Sequence, residues 1–269
     1  MKNKAESDSF WYFGALWRAF IGWLESLTDI FGLYYRLLST IGRTFSSSRL
    51  MWREFFTQVY FIGARGWPVV ALTGLLLGLA IIVYVSAQLK RIQAGQLVGN
   101  LLVVVVVREL GPVLTSLLVL LRSGTAMIVE IGSMVIDREI ESLELMGVDA
   151  EIFIGAPRFW GLIISLGILY GIFLVSAIVG GYLFGQPLAD IYWQELWLSF
   201  LNALTWQDIV VSAGKILLFG MSLGTVAIYY GFKVEEWRGS LVEQTSQGAV
   251  TGLLFLGILN AVLSILGYS

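Results

Sequence analysis

VVVVVRELGPVLTSLLVLL, residues 103–121, decides the architecture of this chain. The run is apolar enough, and with its flanks long enough, to cross a bilayer, which takes roughly 18–20 residues in a helix. Yet Arg108 and Glu109 sit inside it, and Gly111 and Pro112 follow at once. Charges at membrane depth are costly and usually face a cavity or a partner. Pro112 has no amide hydrogen, so a bend is expected there. Two roles are open to the charge pair: a pocket or hinge feature, or a structural ion pair with another span.

The rest of the sequence agrees with a membrane setting. Of its 269 residues, 57% are hydrophobic and only 13% are charged, with a mean hydropathy of +0.81. A soluble fold needs a more polar exterior. There is no cysteine and no histidine, which excludes disulfides, thiolate chemistry and His-ligated metals. The usual general base is missing too, so an enzyme is disfavoured. The first residues, MKNKAESDSFW, do not read as a cleaved signal peptide.

Five spans are expected, at about 67–89, 97–135, 160–184, 209–230 and 248–267. Ahead of them, residues 1–66 read as an interfacial amino-terminal region, and 67–269 as the five-span domain. In residues 10–38, Arg18, Glu25, Asp29 and Arg36 fall within about 20° of one line on a helix. A narrow polar stripe on a broad aromatic face suits a helix lying in the membrane interface. Residues 49–66 read as a second surface segment. QPLADIYWQELWLSFLNALTWQD, 186–208, is too polar to cross and reads as another interfacial helix. The GxxxG spacings in GLLLG (74–78), GYLFG (181–185) and GMSLG (220–224) read as helix packing.

Orientation follows from the basic residues. Residues 1–66 carry eight of the 17 Lys and Arg; Arg138, Arg158, Lys233 and Arg238 bring that side to twelve. The amino terminus is therefore expected in the cytoplasm. So is REIESLELMGVD, 138–149. A helix over about 136–147 would put Asp137, Glu141 and Glu144 within an arc of about 60°, beside an apolar stripe of Ile136, Ile140 and Leu143. Gly147 is a natural stop. Such a helix is either a solvated surface turn or a docking piece for a basic groove.

The remaining charges have blander expectations. Arg122 and Glu130 bracket small residues, among them Gly124, and suit packing plus snorkelling. Lys215 is expected to snorkel to the interface. Gly214–Lys215 lacks the upstream glycine and the following Ser or Thr of a phosphate-binding loop. If the protein's work consumes ATP, another subunit must bind it.

RELGPV (108–113), RSGTA (122–126), EIGSM (130–134), REIESLELMGVD and PRFW (157–160) together resemble the MlaE/YrbE permeases. These are the membrane subunits of MCE-type ABC lipid transporters. The resemblance covers most of the chain. It departs from the family at Ala150, where proline is usual, at VEQTSQGAV (242–250), and at Asn260, where Asp is frequent. It implies an all-α integral membrane protein of the bacterial inner membrane, with two copies forming the core of the complex. ATPase subunits binding ATP and Mg would dock below, and an MCE-domain ring would sit on the periplasmic face. Phospholipid would be the cargo, with no cofactor in this chain and no nucleic-acid partner. The acidic segment would be the coupling helix, with Asp137, Arg138, Ile140, Glu141, Leu143, Glu144 and Gly147 at the ATPase contact. Arg108, Glu109, Gly111 and Pro112 would line or brace the lipid cavity. The alternatives from other classes are a secondary transporter or channel working through Arg108–Glu109, and a non-transporting membrane scaffold.

Overall fold

The structure, a computed structural model, describes residues 26, 28–39, 49–91, 101–189, 193–235 and 237–268. All regular structure among them is helical. Helix α1 covers 28–39. Helix α2 runs from Arg49–Val59 through a π-helical turn at Tyr60–Ala64 into Arg65–Arg91. Helix α3 starts at 101. It is π-helical over Val103–Leu110, α-helical over Gly111–Val119, π-helical over Leu120–Gly124 and α-helical over Thr125–Ile136. Then come α4 (Glu139–Leu145), α5 (Ala150–Ala189), α6 (Trp193–Ala203), α7 (Trp206–Phe232) and α8 (Arg238–Tyr268).

Five stretches are long and apolar enough to cross a membrane: Met51–Tyr84, Val103–Ile136, Ala150–Leu183, Trp206–Phe232 and Gly239–Gly267. The chain is an all-α integral membrane protein. Several helix bounds differ from those expected. The boundary at 66/67 falls inside α2, so no break separates the segment 49–66 from the first span. Arg53 and Arg65 did not end the helix, because a long basic side chain carries its charge away from the backbone. Likewise α5 begins ten residues before the expected 160, and residues 186–189 close it rather than opening the interfacial helix.

α5 is the central helix, packing on α2, α3 and α7. Phe159, Leu162, Leu166 and Phe173 along it are fully buried. Its approach to α2 is set by glycine. A Cβ on Gly78 would collide with the Ala177 carbonyl, and one on Gly180 with the Leu75 backbone. Small residues let two backbones come this close where no hydrophobic effect drives the helices together. The GMSLG glycines serve α7 in the same way, Gly220 against Ile163 and Gly224 against Phe159.

At the end of the bundle that carries α4, α1 lays Ile30, Leu33 and Leu37 inward and leaves Phe31 and Tyr35 exposed. The charges expected on its polar stripe reach the bundle. Asp29 accepts from the Tyr229 hydroxyl at 3.4 Å, and Arg36 pairs with Asp149 and Glu151 at 3.2 and 2.7 Å. Arg18 and Glu25 lie outside the described residues.

Gly78→Ala should push α2 from α5 and cost roughly 1–3 kcal/mol as overpacking does, read as a lower melting temperature in detergent. Gly214→Ala should be neutral or slightly stabilising, because a Cβ there meets nothing within 4 Å. Equal effects of the two would contradict the packing described.

Candidate functional site

The first π-helical stretch of α3 ends at Arg108, Glu109 and Leu110, and Pro112 sits in the first turn of the α-helical stretch after it. Two backbone carbonyls lose their ordinary partners there. The Gly111 amide bonds five residues back to Val106, which releases the Val107 carbonyl. Pro112 has no amide, which releases the Arg108 carbonyl. Both are satisfied from neighbouring helices. Tyr170 of α5 donates its hydroxyl to Val107 at 3.0 Å. Lys215 of α7 donates its Nζ to Arg108 at 2.7 Å. Gly111 is needed for this closeness, since a Cβ would meet the Val106 carbonyl and, at 3.1 Å, the Tyr170 ring. Around Pro112 the helix is locally wider, and its freed carbonyls are capped from outside.

Lys215 does not snorkel. Its side chain is fully buried, and Nζ also bonds Glu109 Oε1 at 3.0 Å and Ser264 Oγ at 2.8 Å. With the Arg108 carbonyl, that accounts for the three donors of an ammonium. Ser264 passes a hydrogen bond on to the Glu109 carboxylate at 2.9 Å, and the Asn260 amide donates to Glu109 Oε2 at 3.2 Å. Arg108 and Glu109 do not pair with each other. Arg108 Nε pairs with Asp208 Oδ1 at 2.6 Å.

Asp208 also closes a reciprocal cap at the start of α7. Its amide donates to the Thr205 hydroxyl, while the Thr205 amide donates to its carboxylate at 2.9 Å. One residue therefore sets where α7 begins and holds the arginine of α3. The whole forms a four-charge network joining α3, α7 and α8. Its back, Lys215 and Asp208, is fully buried, while Glu109 and Arg108 keep 37% and 27% of their side chains exposed.

The other sequence candidates fall at three places. Arg122 lies in the second π-turn of α3, and its guanidinium donates to the Arg65 carbonyl of α2. Gly124 is buried, and a Cβ on it would meet first Leu120 of its own helix. Glu130 pairs with the buried Arg158 of α5 at 2.5 Å.

The acidic segment forms a shorter helix than 136–147. Ile136 ends α3, and Asp137 lies in the turn, so it does not share a helical face with Glu141 and Glu144. Arg138 adopts the left-handed conformation, φ 58°, ahead of α4. Gly147 stops α4 as expected, at φ 78°, with Gly147 and Val148 amides bonding the Glu144 and Leu143 carbonyls at 2.9 and 3.1 Å. Ile140 and Leu143 pack on the core, whereas Glu139, Glu141, Glu144, Leu145 and Met146 are exposed. No group of His, Cys, Asp or Glu among the described residues could hold a metal ion.

A family model for the permease MlaE matches residues 55–266. The chain belongs to the MlaE permease family. The match spans the charge network, the Glu130–Arg158 pair and α4. The intermembrane phospholipid transport system permease protein MlaE of Haemophilus influenzae is 30% identical over 203 residues, covering 75% of this chain and 78% of that protein. A probable ABC transporter permease protein of Rickettsia bellii is 26% identical over 207 residues, 77% and 80% of the two chains. One from Pyropia yezoensis is 22% identical over 242 residues, 90% of each.

Three residues of this permease network were not legible as site residues. Lys215, Asp208 and Ser264 lie on spans whose rotation hydropathy does not reveal. One signal was present: Asp208 and Lys215 are seven residues apart, on one face of a helix, and match the two signs of Arg108 and Glu109.

Lys215→Met leaves Glu109 and the Arg108 carbonyl without their donor, and should cost about 3–5 kcal/mol as broken buried pairs do. The readout is the denaturation midpoint in detergent. Adding Glu109→Gln should recover part of the loss by removing the stranded charge; strictly additive losses would mean the two side chains do not interact.

Proposed function

We propose that the chain is the membrane-spanning subunit of an ATP-driven phospholipid transporter, moving lipid between the inner membrane and an MCE-domain partner, towards or from the outer membrane. The observation that carries this reading is the continuity of α3. The helix bears Arg108 and Glu109 near its start and passes through a two-residue turn, Asp137–Arg138, into α4. Movement of α4 is thereby delivered to the charge network. Family membership supports it, as does the phospholipid transport named for the Haemophilus influenzae relative.

α4 has the surface of a docking piece. Ile140 and Leu143 hold it to the bundle. Outward it offers Glu141 and Glu144 one turn apart, with Leu145 and Met146 exposed at 83% and 69%. An apolar centre rimmed by acids fits a basic groove on an ATPase, which supplies the ATP and Mg chemistry. The amino terminus and α4 then face the cytoplasm, in line with the basic-residue bias. Two copies would enclose the lipid path. The partly exposed Arg108 and Glu109 offer charge to a head group, and Val104, one turn away and 41% exposed, offers apolar wall to a tail. A secondary transporter or channel coupled through Arg108–Glu109 is disfavoured by the match to the MlaE permease family and to a probable ABC transporter permease.

Glu141→Lys with Glu144→Lys should reduce co-purifying ATPase by more than tenfold while this chain stays folded, at about 1.4 kcal/mol per decade. Undiminished co-purification would remove α4 from the contact. Glu109→Ala should slow lipid transfer in reconstituted complexes or change the lipid they retain, with ATPase docking intact; normal values of both would make the network purely structural.

A further inference from the structure

Toward the α4 end, α2, α3 and α8 enclose an open groove of about 620 Å³, lined by Thr57, Gln58, Phe61, Thr125, Glu130 and Thr245 together with Ala126 and Val129. It lies apart from the Arg108–Glu109 network, which sits near the other end of α3. We propose that this groove is a lateral site for the ammonium head group of a phospholipid in the leaflet on the α4 side. The proposal rests on the phospholipid reading above for the class of molecule, and on the groove alone for its place and its selectivity.

The hydrogen-bond inventory of the lining selects a cation. Thr57 donates its hydroxyl to the Arg53 carbonyl at 2.9 Å, Thr125 to Leu121 at 2.7 Å and Thr245 to Leu241 at 2.7 Å. Each hydroxyl hydrogen is spent on its own helix, so what remains at each oxygen is acceptor capacity. Glu130 gives Oε1 to Arg158 and keeps Oε2 for the groove, with 44% of its side chain exposed. Arg158 is buried behind it, with a further bond to the Ile154 carbonyl, and does not line the groove. Among the described lining residues, Gln58 is the one side chain with N–H donors. A surface of three hydroxyl oxygens and a carboxylate oxygen is short of donors. An ammonium brings them with a charge, which strengthens each bond.

Depth and rim point to a lipid as the carrier of that ammonium. Glu130 lies six residues before the end of α3 at Ile136, about 9 Å along the axis at 1.5 Å per residue. With the helix end at the membrane surface, that is the boundary between head groups and acyl chains. The rim is apolar and open: Phe61 is 39% exposed, Val129 42%, and Val242, one turn before Thr245, 72%. Arg65 lies over the Phe61 ring at 4.9 Å, a cation on the same wall where the phosphate next to an ammonium would fall. The phosphate is common to all phospholipids. The acceptors around Glu130 discriminate among them.

The test uses the intact transporter complex in nanodiscs of equal phosphatidylethanolamine and phosphatidylglycerol. Benzoylphenylalanine is placed at position 129, and the captured lipid is identified by mass spectrometry. Phosphatidylethanolamine should be captured about tenfold over phosphatidylglycerol, the worth of one hydrogen bond to a charged group. Glu130→Gln should bring the ratio close to one. Because that change also disturbs the buried Arg158, Thr57→Val and Thr245→Val serve as variants that leave the ion pair intact, and each should lower the ratio severalfold. Equal capture of the two lipids by the otherwise unaltered chain, an unchanged ratio in all three variants, or crosslinking to a second copy or another protein would overturn the site. ATP-driven lipid transfer is followed in the same samples. Transfer with unselective capture overturns this site alone. Selective capture without ATP-driven transfer of any lipid overturns the transport reading and leaves the site standing.

Discussion

Pro112 cannot give an amide hydrogen to the Arg108 carbonyl, and the Lys215 ammonium donates to it instead. The rest of the intramembrane architecture depends on that substitution. A lysine able to reach a backbone carbonyl inside a span must be buried, and a buried ammonium requires a counter-charge. Glu109, the residue next to the freed carbonyl, supplies it. The carboxylate then needs further donors, which come from Ser264 and Asn260. One missing amide therefore ties α3 to α7 and, through Glu109, to α8. In lipid there is no water to take the unpaired groups, so every member of the chain of bonds is held by the next.

Composition and local spacing are properties of one segment, and what depends on them was legible in the sequence. The five spans, the glycine stop of α4 and the small-residue approach of α2 to α5 belong here. So does the need of Arg108 and Glu109 for partners, since a charge in a valine run is visible without knowing its neighbours. Pairings were not legible, because they depend on how each helix is rotated about its axis. Lys215 looked close enough to an interface to snorkel, and only the packed bundle turns it inward. Asp137 looked like a third acid on the α4 face. The left-handed Arg138 breaks the helix between Asp137 and Glu139, and the projected arc with it. The basic residues of 49–66 suggested a surface segment; the backbone runs through them unbroken because arginine is a good helix former.

Ala150, where the family usually has proline, opens α5 as its first residue. That is the position where proline would be at home, because the first amides of a helix lack internal partners. Its loss leaves the exit from α4 to be fixed otherwise. Asp149 accepts from the Ile152 amide at 3.2 Å and holds Arg36 of α1 with its other oxygen, while Arg36 reaches on to Glu151. These groups are about half exposed, so each pair is weak alone. Their value lies in position: α1 is joined by one guanidinium to the two residues flanking Ala150.

Asn260 stands where family members often carry Asp, and the network explains what the amide changes. Among the described residues, Arg108 pairs with Asp208 and Lys215 with Glu109, two charges of each sign. An aspartate at 260 would add a fifth charge facing Glu109 across the distance now spanned by the amide, 3.2 Å. Two carboxylates that close, sharing one lysine, repel each other. The amide replaces that repulsion with a donor. In this chain Asn260 therefore supports Glu109 with a hydrogen bond where a carboxylate would repel it.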